Sequence, residues 1–256
     1  MNYTDWARWY DVVYTTADGN DVDFYLEIAR DSGPPVLEIG VGTGRIGIPG
    51  AKSGLEWVGV DLNQPMLDRA VEKAKAAQPL PGGLTLVQQD MRSLKLERQF
   101  KTVILPSHTL LLALTEEDQF RTLCYASQHL AEEGTLVFDA FYPDPEMLAD
   151  NSEEPIELGE IVDPEHNCSY LVTAVNHFDT GPQVNHGIQT VTTLDPSGDE
   201  ISSVDLPVEM RYLHHSEALA LIERVGLECE TVYGDFDRSA LDNEASPEMI
   251  FVCRWP

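Results

Sequence analysis

The stretch Val36-Leu-Glu-Ile-Gly-Val-Gly-Thr-Gly-Arg-Ile-Gly47 decides the fold class. A short apolar strand carries an acid, Glu38, two residues before the first glycine, and the chain then turns on Gly40, Gly42 and Gly44. A strand ending in such a turn predicts a parallel α/β layout. The missing Cβ atoms let backbone amides come close to a nucleotide-like ligand.

The glycines alone leave two cofactors open. Gly42-Thr-Gly44-Arg-Ile-Gly47 also fits a dinucleotide fingerprint, with Asp61 at the spacing of a ribose-binding acid. Two further apolar strands, however, end in acids: Glu56-Trp-Val-Gly-Val-Asp61 and Leu84-Thr-Leu-Val-Gln-Gln-Asp90. In an open α/β sheet ligands sit beyond the carboxyl ends of the strands, so the loops bearing Glu38 to Gly44, Asp61 and Asp90 converge on one crevice.

With these motifs the chain resembles the class I S-adenosylmethionine-dependent methyltransferases. The Glu-x-Gly-x-Gly-x-Gly loop, Val-Gly-Val-Asp61-Leu-Asn-Gln-Pro-Met-Leu, Gln-Asp90-Met-Arg and Leu130-Ala-Glu-Glu-Gly-Thr-Leu-Val-Phe fall in that family's order and spacing over residues 20 to 142. The resemblance implies S-adenosylmethionine as cofactor, lying on the backbone of Gly40, Gly42 and Gly44. Asp61, with Leu62 beside it, would take the ribose hydroxyls in charge-assisted hydrogen bonds. Asp90 would accept from the adenine amino group, with the Met91 backbone placing the ring. Glu38 would organise the glycine loop and the methionine amino group, which the backbone at Leu105 and Pro106 also faces. Arg45 is open between the cofactor carboxylate and an exposed helix position.

Methyl transfer is an in-line displacement at an activated carbon, so alignment and exclusion of water dominate, and neither a metal nor a covalent intermediate is required. A base near the methyl group would help a nucleophile lose its proton. His108, in Pro106-Ser-His-Thr just past the fourth strand, is the first candidate, with a capping or packing role as its alternative. His214 and His215 follow the platform described below, and at most one of them should reach a given pocket. Tyr10 and Tyr14, on an aromatic opening helix with Trp6, Trp9 and Val13, are placed to close over the cofactor or simply to pack in the core.

Composition bounds the rest. The 256 residues fit one large α/β domain with a small insertion, and 44 acids against 16 bases give a formal charge of -28. That field repels polyanions and argues against nucleic acid as a partner. The same acidity suits a chain adapted to high salt or one kept soluble by its surface. Four cysteines without a Cys-x-x-Cys pair argue against a zinc knuckle or disulfide scaffold and for a reduced, cytoplasmic setting. No apolar run approaches membrane-spanning length.

The element order predicts a Rossmann-like, doubly wound, mostly parallel seven-stranded sheet with an antiparallel β platform inserted after strand 5. Residues 1–142 and 213–256 form the cofactor domain and 143–212 the insertion. A helix runs from Thr115 through Leu130, Gly134 ends it, and Thr135–Phe141 is the fifth strand. An acidic stretch then runs through Glu160. Period-two alternation follows at Cys168–Phe178, His186–Leu194 and Ile201–Arg211. Ser216 caps a helix to Val225, and Glu228–Tyr233 and Pro247–Trp255 supply an antiparallel edge pair. This layout resembles the small-molecule N-methyltransferases that act on amino sugars. An amine, or alternatively a hydroxyl, of a small molecule is the expected acceptor, and the insertion is the expected homodimer surface. A nicotinamide-dependent oxidoreductase and a non-catalytic cofactor-binding module are the readings from other classes.

Overall fold

The computed structural model describes residues 3–15, 20–150, 152–242 and 245–256. Seven strands build the main sheet: β1 (Val36–Ile39), β2 (Trp57–Asp61), β3 (Leu84–Gln88), β4 (Phe100–Leu105), β5 (Leu130–Phe141), β10 (Glu228–Tyr233) and β11 (Glu248–Arg254). Their spatial order is β10-β11-β5-β4-β1-β2-β3, parallel except where β11 runs antiparallel between β5 and β10. Strand order reverses between β1 and β4, and this is where such sheets open a crevice for ligand.

The inner strands are buried on both faces, and their residues alternate between two cores. Leu37, Ile39, Val103, Leu105, Leu136 and Phe138 join one cluster with Leu123 and Leu221, from α5 (Glu116–Gln128) and α7 (His215–Arg224). Val36, Ile104 and Val137 join the other, with Phe24, Tyr25 and Ile28 of α2 (Asn20–Ser32) and Ala51 of α3 (Gly47–Lys52). This is the period-two signature of a sheet covered by helices on both sides.

The second sheet contains β6 (Ile156–Asp163), β7 (Cys168–Asp179), β8 (Val184–Leu194) and β9 (Glu200–Arg211), all antiparallel. Its inner face, with Val172, Val191, Leu206 and Val208, packs on Trp6 and Val13 of α1 (Tyr3–Thr15). The Trp6 indole also donates to the Pro207 carbonyl at 3.0 Å. The other side of α1 meets α4 (Gln64–Ala76), where Lys73 Nζ lies 2.6 Å from Asp11 Oδ1. Helix α1 thus spans the gap between the two sheets.

Three local expectations are corrected. The platform has four strands, since β6 forms within the acidic stretch, and a short α6 (Pro145–Ala149) precedes it, capped by Asp144 Oδ1 accepting from Glu146 and Met147 amides. Helix α5 stops at Gln128, and β5 begins at Leu130, paired with Phe100. Gly134 therefore lies inside a strand with a register shift, where a Cβ would come within 3.0 Å of the Lys101 carbonyl. The cap of α7 is His214 rather than Ser216.

Candidate active site

The loops after β1, β2, β3 and β4 meet in one pocket, roofed by α1 and closed at the far side by β8 and β9. Two glycines shape its floor. Gly40 has φ of 79°, and a Cβ there would lie 2.5 Å from Thr109 Oγ1. Gly42 has φ of 54°, and its Cβ would stand 3.7 Å from the ring of Tyr10. Any side chain at either position would fill the space between floor and roof.

Of the residues singled out in the sequence, Trp6, Tyr10, Tyr14, Gly40, Gly42, Asp61, Leu62, Asp90 and Met91 line this pocket. Asp61 is set by its own loop: Oδ2 accepts from the Gly42 amide at 2.9 Å and Oδ1 from the Asn63 amide at 2.8 Å. Burial raises its pKa, against the lowering effect of those amides. Oδ1 also takes the Asn63 side-chain amide at 3.2 Å, so Oδ2 is the oxygen with a further acceptor site, which suits a ribose hydroxyl. Asp90 is more heavily committed. Its carboxylate takes the Arg92 backbone amide at 2.8 Å and the Arg92 guanidinium at 2.6 Å, and this pairing lowers its pKa.

Glu38, Gly44, Arg45, Leu105, Pro106, His108 and His214 are not part of the pocket wall. Glu38 is buried beneath it and accepts from the Trp57 indole at 2.7 Å. Burial, opposed by that hydrogen bond, raises its pKa to about 8, so it is a neutral acid at neutral pH. It also fills the space beside Gly47, whose Cβ would lie 2.9 Å from Oε2. The third glycine of the dinucleotide pattern thus serves packing between β1, β2 and α3. Gly44 meets Ile48 in the same way, and Pro106 supplies the carbonyl that holds Thr109 Oγ1 at 2.6 Å.

Arg45 is neither exposed nor free to roam. Its guanidinium grips Asp21 of α2, with Nη1 2.8 Å from Oδ1, reaches Ser107 Oγ at 2.7 Å, and lies 5.1 Å from the centre of the Tyr14 ring. Its Nε is buried without a partner. Ser107 and Tyr14, which the guanidinium touches, line the cavity, and Arg45 stands behind them.

His108 turns away from the pocket. Ser107 and His108 both have left-handed backbones, with φ of 56° and 58°, so the ring points to β11 and lies 3.0 Å from Glu248 Oε2. Burial pulls its pKa down, but Glu248 and Asp139 prevail and raise it to about 9. A protonated imidazole facing two carboxylates is not a base. His108, Asp139 and Glu248 also form a donor set that could hold a metal ion, with one atom from each within 4.8 Å of the others; the imidazolium supplies the positive charge here. His214 stands on the surface as the cap of α7, its amide donating to Glu217 Oε2 at 2.8 Å.

Sequence reasoning missed several pocket residues. Asn63, Ser107 and Thr109 adjoin motif positions and were findable by loop proximity. Gln189, Val208 and Met210 come from the second sheet, where alternation announces a strand but not which face meets the cavity.

The comparisons with known proteins agree with this geometry. Residues 36–134 match the family model described as a methyltransferase domain. An uncharacterised methyltransferase of Bacillus cytotoxicus, Bcer98_3087, is 30% identical over 168 residues, covering 61% of this chain and 74% of the relative. The solved CcbJ methyltransferase of Streptomyces caelestis is 28% identical with a TM-score of 0.77, covering 94% of this chain and 97% of that one. The solved structure of SAM-bound CalS10, an amino pentose methyltransferase of Micromonospora echinaspora, has a TM-score of 0.72 at 18% identity and covers 95% of each chain. This chain belongs to the S-adenosylmethionine-dependent methyltransferases. Its cofactor is S-adenosylmethionine, and the glycine floor and the acceptor site left on Asp61 Oδ2 fit that group.

Proposed function

We propose that the enzyme methylates an amine of a small molecule held between α1 and the inner face of the second sheet. The observation that carries this reading is the division of one cavity: carboxylates at the sheet end, Asp61 and Asp90, and charge-free walls from Trp6, Leu112, Val208 and Met210 at the other. S-adenosylmethionine supplies an activated methyl group to an incoming lone pair. The chain's own part is to hold the ribose through Asp61, to place the adenine ring near Met91 and Asp90, and to exclude water with Tyr10, Tyr14 and Trp6.

An amine is favoured over a hydroxyl because the wall offers no base. Among the described residues that line the cavity there is no histidine, lysine or cysteine, Asp90 is tied to Arg92, and Asp61 to Gly42 and Asn63. An uncharged amine needs no deprotonation before it attacks, whereas an alcohol does. The name of CalS10 as an amino pentose methyltransferase points the same way. Mass-spectrometric screening of amines and matched alcohols with S-adenosylmethionine tests this: methylated amines are expected, and methylation confined to alcohols overturns it.

We further propose residues 143–212 as the acceptor platform. Its outer face exposes Val162, Ile188 and Ile201, the surface through which a homodimer would form, and light scattering of a Val162→Glu variant tests that contact. Among the described residues no helix is long and apolar enough to cross a membrane. The cytoplasm is the proposed compartment, supported by Cys229 and Cys253, which are register partners on β10 and β11 and stand as free thiols.

A further inference from the structure

We propose that Gln189 selects the methyl acceptor. The acceptor is then a small molecule bound uncharged that carries, besides the atom to be methylated, an N–H or O–H donor for the Gln189 amide oxygen. The proposal rests on the methyltransferase reading of this cavity and adds to it the residue that reads the substrate.

Gln189 lies in the middle of β8, opposite Ala174 of β7 and Leu206 of β9, both buried and apolar. Two residues on, Val191 faces the same side and packs against α1. The Gln189 side chain therefore projects from an apolar face into the cavity, whose wall it forms with Trp6 and Val208. Its Oε1 is enclosed by the neighbouring side chains and has no hydrogen-bond partner, so a rotation of the Gln189 side chain presents it to a bound donor. A buried amide oxygen left unpaired is costly, and natural structures keep few of them.

The surroundings say what must pair with it. The Trp6 indole is engaged by the Pro207 carbonyl, so it is not available to Gln189. Leu112, Val208 and Met210 offer no donor. The ligand is the remaining source, and the required group is a hydrogen-bond donor. Among the described lining residues no carboxylate stands at this end of the cavity to hold a cation, and no arginine or lysine to hold an anion, since Asp61, Asp90 and Arg92 all belong to the sheet end. A site with one oriented polar atom in an apolar wall discriminates strongly against an analogue that lacks the matching donor.

The test uses aniline and the three aminophenol isomers, which are uncharged at neutral pH and differ by one hydroxyl donor. Their binding to the full-length protein saturated with S-adenosylhomocysteine is followed by ligand-observed NMR. At least one aminophenol is expected to bind about ten-fold more tightly than aniline. Gln189→Leu should remove that preference, and Gln189→Glu, which keeps an acceptor oxygen, should retain it, with S-adenosylhomocysteine binding reporting that each variant is folded. Equal affinities in the wild type, no binding of any probe, or a preference that survives in Gln189→Leu would overturn the proposal. Failure of the wild type to bind S-adenosylhomocysteine at all would instead overturn the reading of the cavity on which it rests.

Discussion

The Asp139 carboxylate on β5 accepts a 2.7 Å hydrogen bond from the backbone amide of His108, while the His108 ring pairs with Glu248. Asp139 is itself buried and also bonded to the Tyr25 hydroxyl, and burial raises its pKa. Two adjacent non-glycine residues in the left-handed region cost about 1–3 kcal/mol each, and this buried cluster holds them there. The imidazolium form is stabilised by folding, since its pKa rises from about 6.5 to about 9. That contribution is complete below the free value and is lost as pH rises through the folded one. Thermal unfolding should therefore show a loss on the order of 1–3 kcal/mol between about pH 7 and pH 10, a loss that His108→Gln reduces.

Asp61→Ala removes the acceptor that faces the cavity and leaves the Gly42 and Asn63 amides without their partner. Calorimetry with S-adenosylhomocysteine should show affinity weakened by about 1.5–3 kcal/mol, the scale of hydrogen bonds to a charged group. An unchanged affinity would place the ribose elsewhere.

Glu38 is a neutral acid in the folded protein, so an amide matches its bound form. Glu38→Gln is expected to stay within about 0.5 kcal/mol of the wild type near pH 4 in urea titrations and to be the more stable of the two at pH 7, where the wild type carries the cost of holding the carboxyl protonated, whereas Glu38→Ala, which opens a cavity and strands the Trp57 indole, should cost about 2–4 kcal/mol. Because the folded pKa is raised, the wild-type carboxyl contributes fully below about pH 4.5 and loses that contribution as pH climbs from there through about 8. Glu38→Gln should lack this decline, which sets in at lower pH than the one governed by His108, and His108→Gln should keep it, which separates the two groups.

Asp11 joins α1 to the floor: its Oδ1 accepts from Thr43 Oγ1 at 2.7 Å and from Lys73 Nζ at 2.6 Å. Asp11→Ala should leave the global unfolding midpoint nearly unchanged and raise hydrogen exchange across residues 3–15. Bound S-adenosylhomocysteine should leave faster. Equal exchange in the two proteins would show that the contact with the second sheet holds the helix alone.

The parallel sheet and its glycine floor were legible because both depend on local pattern: apolar strands, three acids at strand ends, and turns that only glycine fits. β6 was not, because five of its eight residues are exposed and Glu157, Glu160 and Asp163 mask its alternation. The direction of His108 was hidden for another reason. It is set by Glu248, 140 residues further along, and no local rule couples the two positions. Arg45 illustrates the same limit, since its partner Asp21 comes from another helix. Asp90 was readable as an acid at a strand end, but its engagement by Arg92 depends on how the short turn at Met91–Ser93 folds.

Tyr10 lies directly above Gly42, on a helix hydrogen-bonded through Trp6 to one sheet and ion-paired through Asp11 to the helix beside the other. A helix tied at both ends over the glycine floor makes its lifting the expected gate on product release, so added viscogen should slow the steady state while leaving a single round of methylation untouched.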